Sequence, residues 1–152
     1  MRRKELEITD PVALRGVLER AASCRIALVD GDEPYLVPLS FALDGLDVVL
    51  HSARAGRKLE ILARNPKVCL EVEEGVALAP AATPCDVGMR YRTVIGFGAA
   101  ERVEDPAEKA RLLAVLAAKY TGAAPAAFPP HELARTVVLR VRMRSWHGKE
   151  HP

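Results

Sequence analysis

Nothing in this chain spells out a reaction on its own. It has no Gly-rich phosphate loop, no GxGxxG and no serine elbow, so the common nucleotide and hydrolase signatures are excluded. His51, Asp30 and Asp86 are scattered, and no hydrolytic triad can be assembled from them. The four histidines, His51, His131, His147 and His151, lack metal-ligand spacing, and no metal site is expected. Cysteine is scarce: Cys24, Cys69 and Cys85 are odd in number and have no CxxC spacing, which argues against a disulfide framework or a structural zinc. Cys24 and Cys69 fall at strands and read as small core residues.

Long apolar runs are missing too. No stretch approaches the roughly 20 residues of a membrane span, so no membrane partner is expected. The charged N-terminus lacks an apolar signal region, and the expected location is cytoplasmic. A formal net charge of +2 gives no electrostatic case for nucleic acid. What remains is 152 residues with 49% hydrophobic content, enough for one domain, 1–152, with a real core.

The chain then reads in order. Thr9-Asp10-Pro11 starts a helix, and Leu14, Val17, Leu18 and Ala21 mark its apolar face. Arg25 to Val29 is a strand, and Asp30-Gly31-Asp32-Glu33 a turn. Tyr35 to Leu43 is a second strand, whose internal Pro38 suggests an edge or a bulge. Asp44-Gly45 turns it into Leu46 to Leu50. Val68, Leu70 and Val72 form one face of a half-buried strand. Residues 75–90, rich in Gly, Pro and Ala, read as a long loop. Tyr91 to Val103 is a long strand carrying Gly96 and Gly98 on one face, either for close approach of something flat or for a strong bend. Asp105-Pro106 starts a helix, with Leu113, Leu116, Ala117 and Tyr120 inward and Gly122 as its stop. In the last strand Val137, Leu139, Val141 and Met143 face one way and Arg140, Arg142 and Arg144 the other, the arginines reading as a solvated face. Trp146 follows that strand. Five or six mostly antiparallel strands with peripheral helices predict a mainly β fold, a small barrel.

The stretch from Leu50 to Pro66 organises the rest. Val48-Val49-Leu50 ends a strand, His51-Ser52-Ala53-Arg54-Ala55-Gly56 turns, and Leu59, Leu62 and Ala63 recur at helical spacing until Asn65-Pro66. Arg57 and Lys58 therefore stand at a helix entry, where cations are disfavoured by the helix dipole. Beside the unpaired N–H groups of that end they make a site for an anion such as a phosphate. A pair of solvated surface cations is the alternative.

His-Ser-Ala-x-x-Gly-Arg-Lys-Leu, followed by Asn-Pro-Lys-Val-Cys-Leu-Glu-Val, resembles the FMN-binding split-barrel proteins related to pyridoxamine 5'-phosphate oxidase, in particular their nitroimidazole-resistance-like branch. Val37-Pro38-Leu39-Ser40-Phe41, the run from Met89 to Gly98, and the opening Met1-Arg2-Arg3-Lys4 match as well, in order, over nearly the whole chain. The resemblance implies an antiparallel split β-barrel with FMN at the interface of a homodimer. It implies that Arg57 and Lys58 hold the FMN phosphate with His51 and Ser52, and that Val37, Pro38, Leu39 and Ser40 run along the isoalloxazine. Arg92, Thr93 and Val94 would reach the cofactor from the partner chain, and Trp146 would stand near the flavin or in the dimer core. His51 would be catalytic, as a proton shuttle, or would only bind the cofactor. The full arginine and histidine set that grips vitamin B6 phosphate is not found, so the implied activity is reduction of a nitroaromatic or quinone-like small molecule. A non-catalytic FMN-binding module and a haem-handling barrel are the rivals.

Overall fold

A computed structural model describes residues 3–152; Met1 and Arg2 of the opening motif lie outside the described residues. The strands are β1 (Glu7–Ile8), β2 (Cys24–Asp30), β3 (Glu33–Leu39), β4 (Phe41–Asp44), β5 (Asp47–Ala53), β6 (Lys67–Ala79), β7 (Gly88–Arg102) and β8 (Thr136–His151). The helices are α1 (Pro11–Arg20), α2 (Arg57–Arg64), α3 (Pro106–Thr121) and α4 (Pro130–Arg135). Among the described residues no helix is long and apolar enough to cross a membrane.

The eight strands form one antiparallel sheet in the order β3-β2-β6-β7-β8-β5-β4, with β1 added to β8. β3 and β4 are therefore the two ends of the sheet, yet only Ser40 separates them in the chain. The sheet has to curl until its ends meet, and because β3 and β4 do not pair, the barrel stays split. The expected strand from Tyr35 to Leu43 is thus two strands, broken at Ser40. Pro38 does lie on an edge strand, where its missing N–H costs no ladder bond. The β2–β3 register continues unbroken past it, without a bulge.

Inside the barrel, Ile26, Leu28, Leu50, Leu70, Val72, Val94 and Val141 join Val17 and Leu18 of α1 and Ile61 and Leu62 of α2. The helix starts follow their sequence signals. Asp10 accepts from the N–H groups of Val12 and Ala13, and Asp105 from that of Glu108, each just before a proline. Gly122 closes α3 at φ 78°, a conformation favoured by glycine. A second cluster, Val49, Leu112, Leu113 and Val138, sits under α3 on the other side of β5 and β8. That is why Val137, Val138 and Leu139 are all buried and the alternation is lost there.

Three further expectations change. Residues 75–90 are not mainly loop: β6 runs to Ala79 and β7 begins at Gly88, and the ribbon absorbs an irregularity between Glu74 and Ala77 with Gly75 at φ 63°. The arginine row is not simply solvated. Arg140, only 13% exposed, pairs with Glu108 and, at 3.4 Å, with Asp44. Arg111 binds the same two carboxylates, and Arg142 lies 2.7 Å from Asp47. Lastly, β8 continues through Trp146 to His151.

Candidate functional site

β5 builds one side of the site. Successive residues of a strand face opposite ways, so Val49 and His51 share the face under α3, while Leu50 and Ser52 share the other. The α3 residues Leu112 and Leu113 cover Val49. His51, two residues on, emerges beyond that cover. Phe41 pairs with Leu50, which brings Ser40, at the break between the sheet ends, beside His51. Both line a cleft of about 360 Å³ with Leu113, Leu116, Ala117 and Phe128. Burial, and then the nearby Lys58 charge, push the His51 pKa below its usual 6.5, so the ring is neutral at pH 7.

The chain next turns at Gly56, whose φ of 130° suits only glycine, and enters α2. Among the described residues no side chain caps this helix. Leu59 and Glu60 donate to the Gly56 carbonyl, which leaves the N–H groups of Arg57 and Lys58 free. The two cations have separate fates. The Arg57 guanidinium donates to Asp30 at 3.0 Å and lies 4.8 Å over the Tyr35 ring. Arg64 binds the other Asp30 oxygen at 2.5 Å. Lys58 has no carboxylate partner among the described residues, and partial burial lowers its pKa. An uncapped helix start with a half-buried, unpaired ammonium is electropositive and short of an anion.

The remaining predicted residues fall elsewhere. Val37 and Leu39 pack against the barrel core, while Pro38 faces out. Thr93 lies on the outer face of β7, its hydroxyl 3.0 Å from a Glu71 oxygen and 2.9 Å from the Val72 carbonyl. Arg92 and Val94 point the opposite way. Arg92 is held by Glu150 at 2.6 Å, and Val94 is fully buried. Trp146 packs against Gly96, where a Cβ would stand 2.4 Å from its ring, and faces a separate cavity of about 630 Å³ beside α1. The structure thus brings Ser40 and His51 together in one cleft with Lys58 near the ring, while Ser52 faces the other side of β5 and Arg57 turns to Asp30. It leaves Arg92, Thr93, Val94 and Trp146 apart from them, on β7 and β8. Sequence reading missed the α3–α4 wall of the cleft; its signal was the Pro- and Ala-rich run 123–130 containing Phe128, which reads only as a connection. Among the described residues no cluster of His, Cys, Asp and Glu is arranged to hold a metal.

Comparison with known proteins agrees with this architecture. A protein described as a 5-nitroimidazole antibiotic resistance candidate from Bacteroides thetaiotaomicron superposes with a TM-score of 0.84 at 27% identity, covering 95% of this chain and 86% of that one. The flavocytochrome Anf3 of Azotobacter vinelandii gives 0.85 at 22% identity, covering 100% and 72%. An FAD and heme binding protein of Mycobacterium smegmatis gives 0.83 at 24%, covering 95% and 72%. The last two show likeness of fold alone. No curated protein sequence matches. The family model for pyridoxamine 5'-phosphate oxidase matches residues 11–150, and with the split antiparallel barrel this establishes that the chain belongs to the pyridoxamine 5'-phosphate oxidase family, a family of flavin-binding split barrels.

Proposed function

We propose that this protein binds FMN with its phosphate at the start of α2 and acts as an oxidoreductase on nitroaromatic or quinone-like small molecules. The observation that carries the reading is the uncapped α2 N-terminus with the unpaired Lys58, placed next to the cleft that Ser40 and His51 line. A phosphate monoester carries about −1.5 to −2 charges at neutral pH, which suits two free N–H groups and one ammonium. Ser52 and Arg57 stand at the same turn, and Arg57 serves this end of the site by its bond to Asp30. The segment Val37 to Ser40 offers backbone groups along the flavin's polar edge. The geometry lends no support to the side chains of Arg92, Val94 or Trp146, which are engaged elsewhere.

Bound FMN supplies the two-electron chemistry; the chain supplies position and electrostatics. His51, neutral at pH 7, is suited to hydrogen-bonding a ligand there. An anion bound near Lys58 would raise the pKa of the ring and so the share of it that holds a proton to donate, the role open to a catalytic His51.

An exposed sheet face supports a homodimer. The strand register lines up Leu36, Ala27, Cys69 and Phe97 in one row across β3, β2, β6 and β7. Leu36 is 59% exposed, Phe97 41%, Ile95 39% and Val29 50%, apolar side chains open to a partner. Thr93 and Pro38 lie on this face, so a second copy seated there would cover them.

Extraction and identification of the cofactor tests the reading, together with calorimetry against FMN and riboflavin. Tight FMN binding supports it; a colourless protein that binds no FMN overturns it. His51→Gln then separates enzyme from binding module. Catalysis by His51 predicts retained FMN and turnover lower by about 10²–10⁴-fold. A wild type that reduces these acceptors no faster than free FMN is a binding module.

A further inference from the structure

We propose that Lys119, in the notch walled by α1, β4 and α3, is a reactive amine that takes an acyl group from a small acyl phosphate. It stands apart from the flavin reading above and does not depend on it.

Two consecutive α3 residues tie that helix to the barrel. The Tyr120 hydroxyl accepts from the Phe41 N–H at 2.9 Å and lies 2.9 Å from the Ala22 carbonyl. Lys119, one step earlier, turns to α1 and donates to the Leu18 carbonyl at 3.2 Å. Its Nζ lies 3.4 Å from the centre of the Phe41 ring. One carbonyl and the face of a ring replace only part of the water that an ammonium loses on burial. No anion among the described residues makes up the rest. Glu19 lines the same notch but is bound by Arg15 at 2.7 Å. Burial pushes the neighbouring Cys24 thiol up to about 12, so it stays neutral at pH 7. These surroundings disfavour the charged form, and burial brings the Lys119 pKa down from 10.5 to about 8. About a quarter of the side chain is then the neutral, nucleophilic amine at pH 7.5, against about 0.1% for an ordinary lysine.

The notch points to the donor. Its volume of about 320 Å³ lies at the small end of ligand pockets, about 300–1,000 Å³. Arg15 lines it together with Lys119. The Arg15 Nε holds Glu19 and its Nη1 donates to the Gly45 carbonyl at 2.9 Å, which leaves Nη2 without a partner among the described residues. A guanidinium edge suits a phosphate, here the leaving group. The Lys119 nitrogen attacks the carbonyl carbon of the donor. A C–N bond forms and the C–O bond to the phosphate breaks. Phosphate leaves with the electron pair, the amine proton goes to water, and the product is an uncharged amide.

The test incubates the full chain with acetyl phosphate at pH 7.5 and follows each lysine by peptide mass spectrometry. Lys119 should be acetylated about tenfold faster than the exposed Lys67, part of its advantage being given up because the nitrogen is half covered. Its rate should level off above about pH 8, where the amine is already neutral. Val115→Glu places a carboxylate four residues before Lys119, at a half-buried α3 position that lines the same notch. It should hold the ammonium and slow Lys119 by about tenfold with Lys67 unchanged. Val115→Gln, of the same shape without the charge, should not. Arg15→Gln should slow acetylation by acetyl phosphate and leave acetylation by para-nitrophenyl acetate, which has no phosphate, unchanged. Acetylation of Lys119 no faster than that of Lys67 overturns the reactive amine, as does an equal Lys119 rate in Val115→Glu and Val115→Gln. A rate with acetyl phosphate untouched by Arg15→Gln overturns the acyl phosphate.

Discussion

Arg57 and Asp30 are bound to each other at 3.0 Å across the entry to α2. The first of two adjacent cations therefore ties the helix to the β2–β3 turn, and the second, Lys58, is left without a carboxylate partner among the described residues. The pair reads as equivalent in the sequence and is divided in the fold.

This division sets the first prediction. Lys58→Ala should weaken FMN binding by about 1.5–3 kcal/mol, the usual worth of a hydrogen bond to a charged group, and leave riboflavin nearly unchanged. Arg57→Ala should cost FMN less. Calorimetry with both ligands checks this, and equal losses for FMN and riboflavin would show that Lys58 supports the fold rather than the phosphate.

Gly96 and Trp146 set the second. A methyl group at position 96 would stand 2.4 Å from Trp146 Cε3 and 2.5 Å from Met143 Cε. Gly96→Ala should destabilise the protein by about 1–3 kcal/mol, the usual range for overpacking. Trp146 is the only tryptophan, so denaturant unfolding followed by its emission reads the change directly.

The third concerns assembly. The exposed row from Leu36 to Phe97 should be covered in a homodimer, visible by sedimentation at micromolar concentration. Phe97→Asp puts a charge at one end of that row and should shift the protein to monomer and weaken FMN together. A wild-type monomer that binds FMN fully would rule out a two-chain site.

The fourth is a pH effect. Arg111, and then Arg140, hold the Glu108 pKa down from 4.5 to about 2. A folded value below the unfolded one means that this pair's stabilisation is complete above pH 4.5 and is lost as pH falls from there toward 2. Thermal unfolding across that window should show the loss. Glu108→Gln should be less stable at pH 7 and flatter with acid, with the remaining slope carried by Asp44, whose pKa the same arginines also lower.

Much of this was legible in the sequence. Asp10-Pro11 and Asp105-Pro106 fix helix starts because a capping carboxylate and a proline act within one turn. The β5–turn–α2 stretch was readable for the same reason, since all its signals lie within a few residues. The ribbon beyond Glu74 was not. Ala, Gly and Pro give no two-residue rhythm there, and β6 and β7 extend because each supplies the other's backbone partners. The arginine row misled because alternation tells which residues share a face and not what packs on it. Asp44 and Glu108, distant in sequence, decide that Arg140 is nearly buried.

By itself, then, the sequence determined the local elements, the turn that exposes Arg57 and Lys58, and, through ordered motifs, the family. The tertiary structure alone decided which of those residues meet. The curl of the sheet brings its two ends together at Ser40, next to His51. The turn after β2 carries Asp30 to Arg57 and takes that cation from the anion site. The packing of α3 on β5 makes the cleft that ends at the histidine. These are long-range meetings, set by which strand pairs with which and which face a helix covers, and no local pattern of residues encodes them.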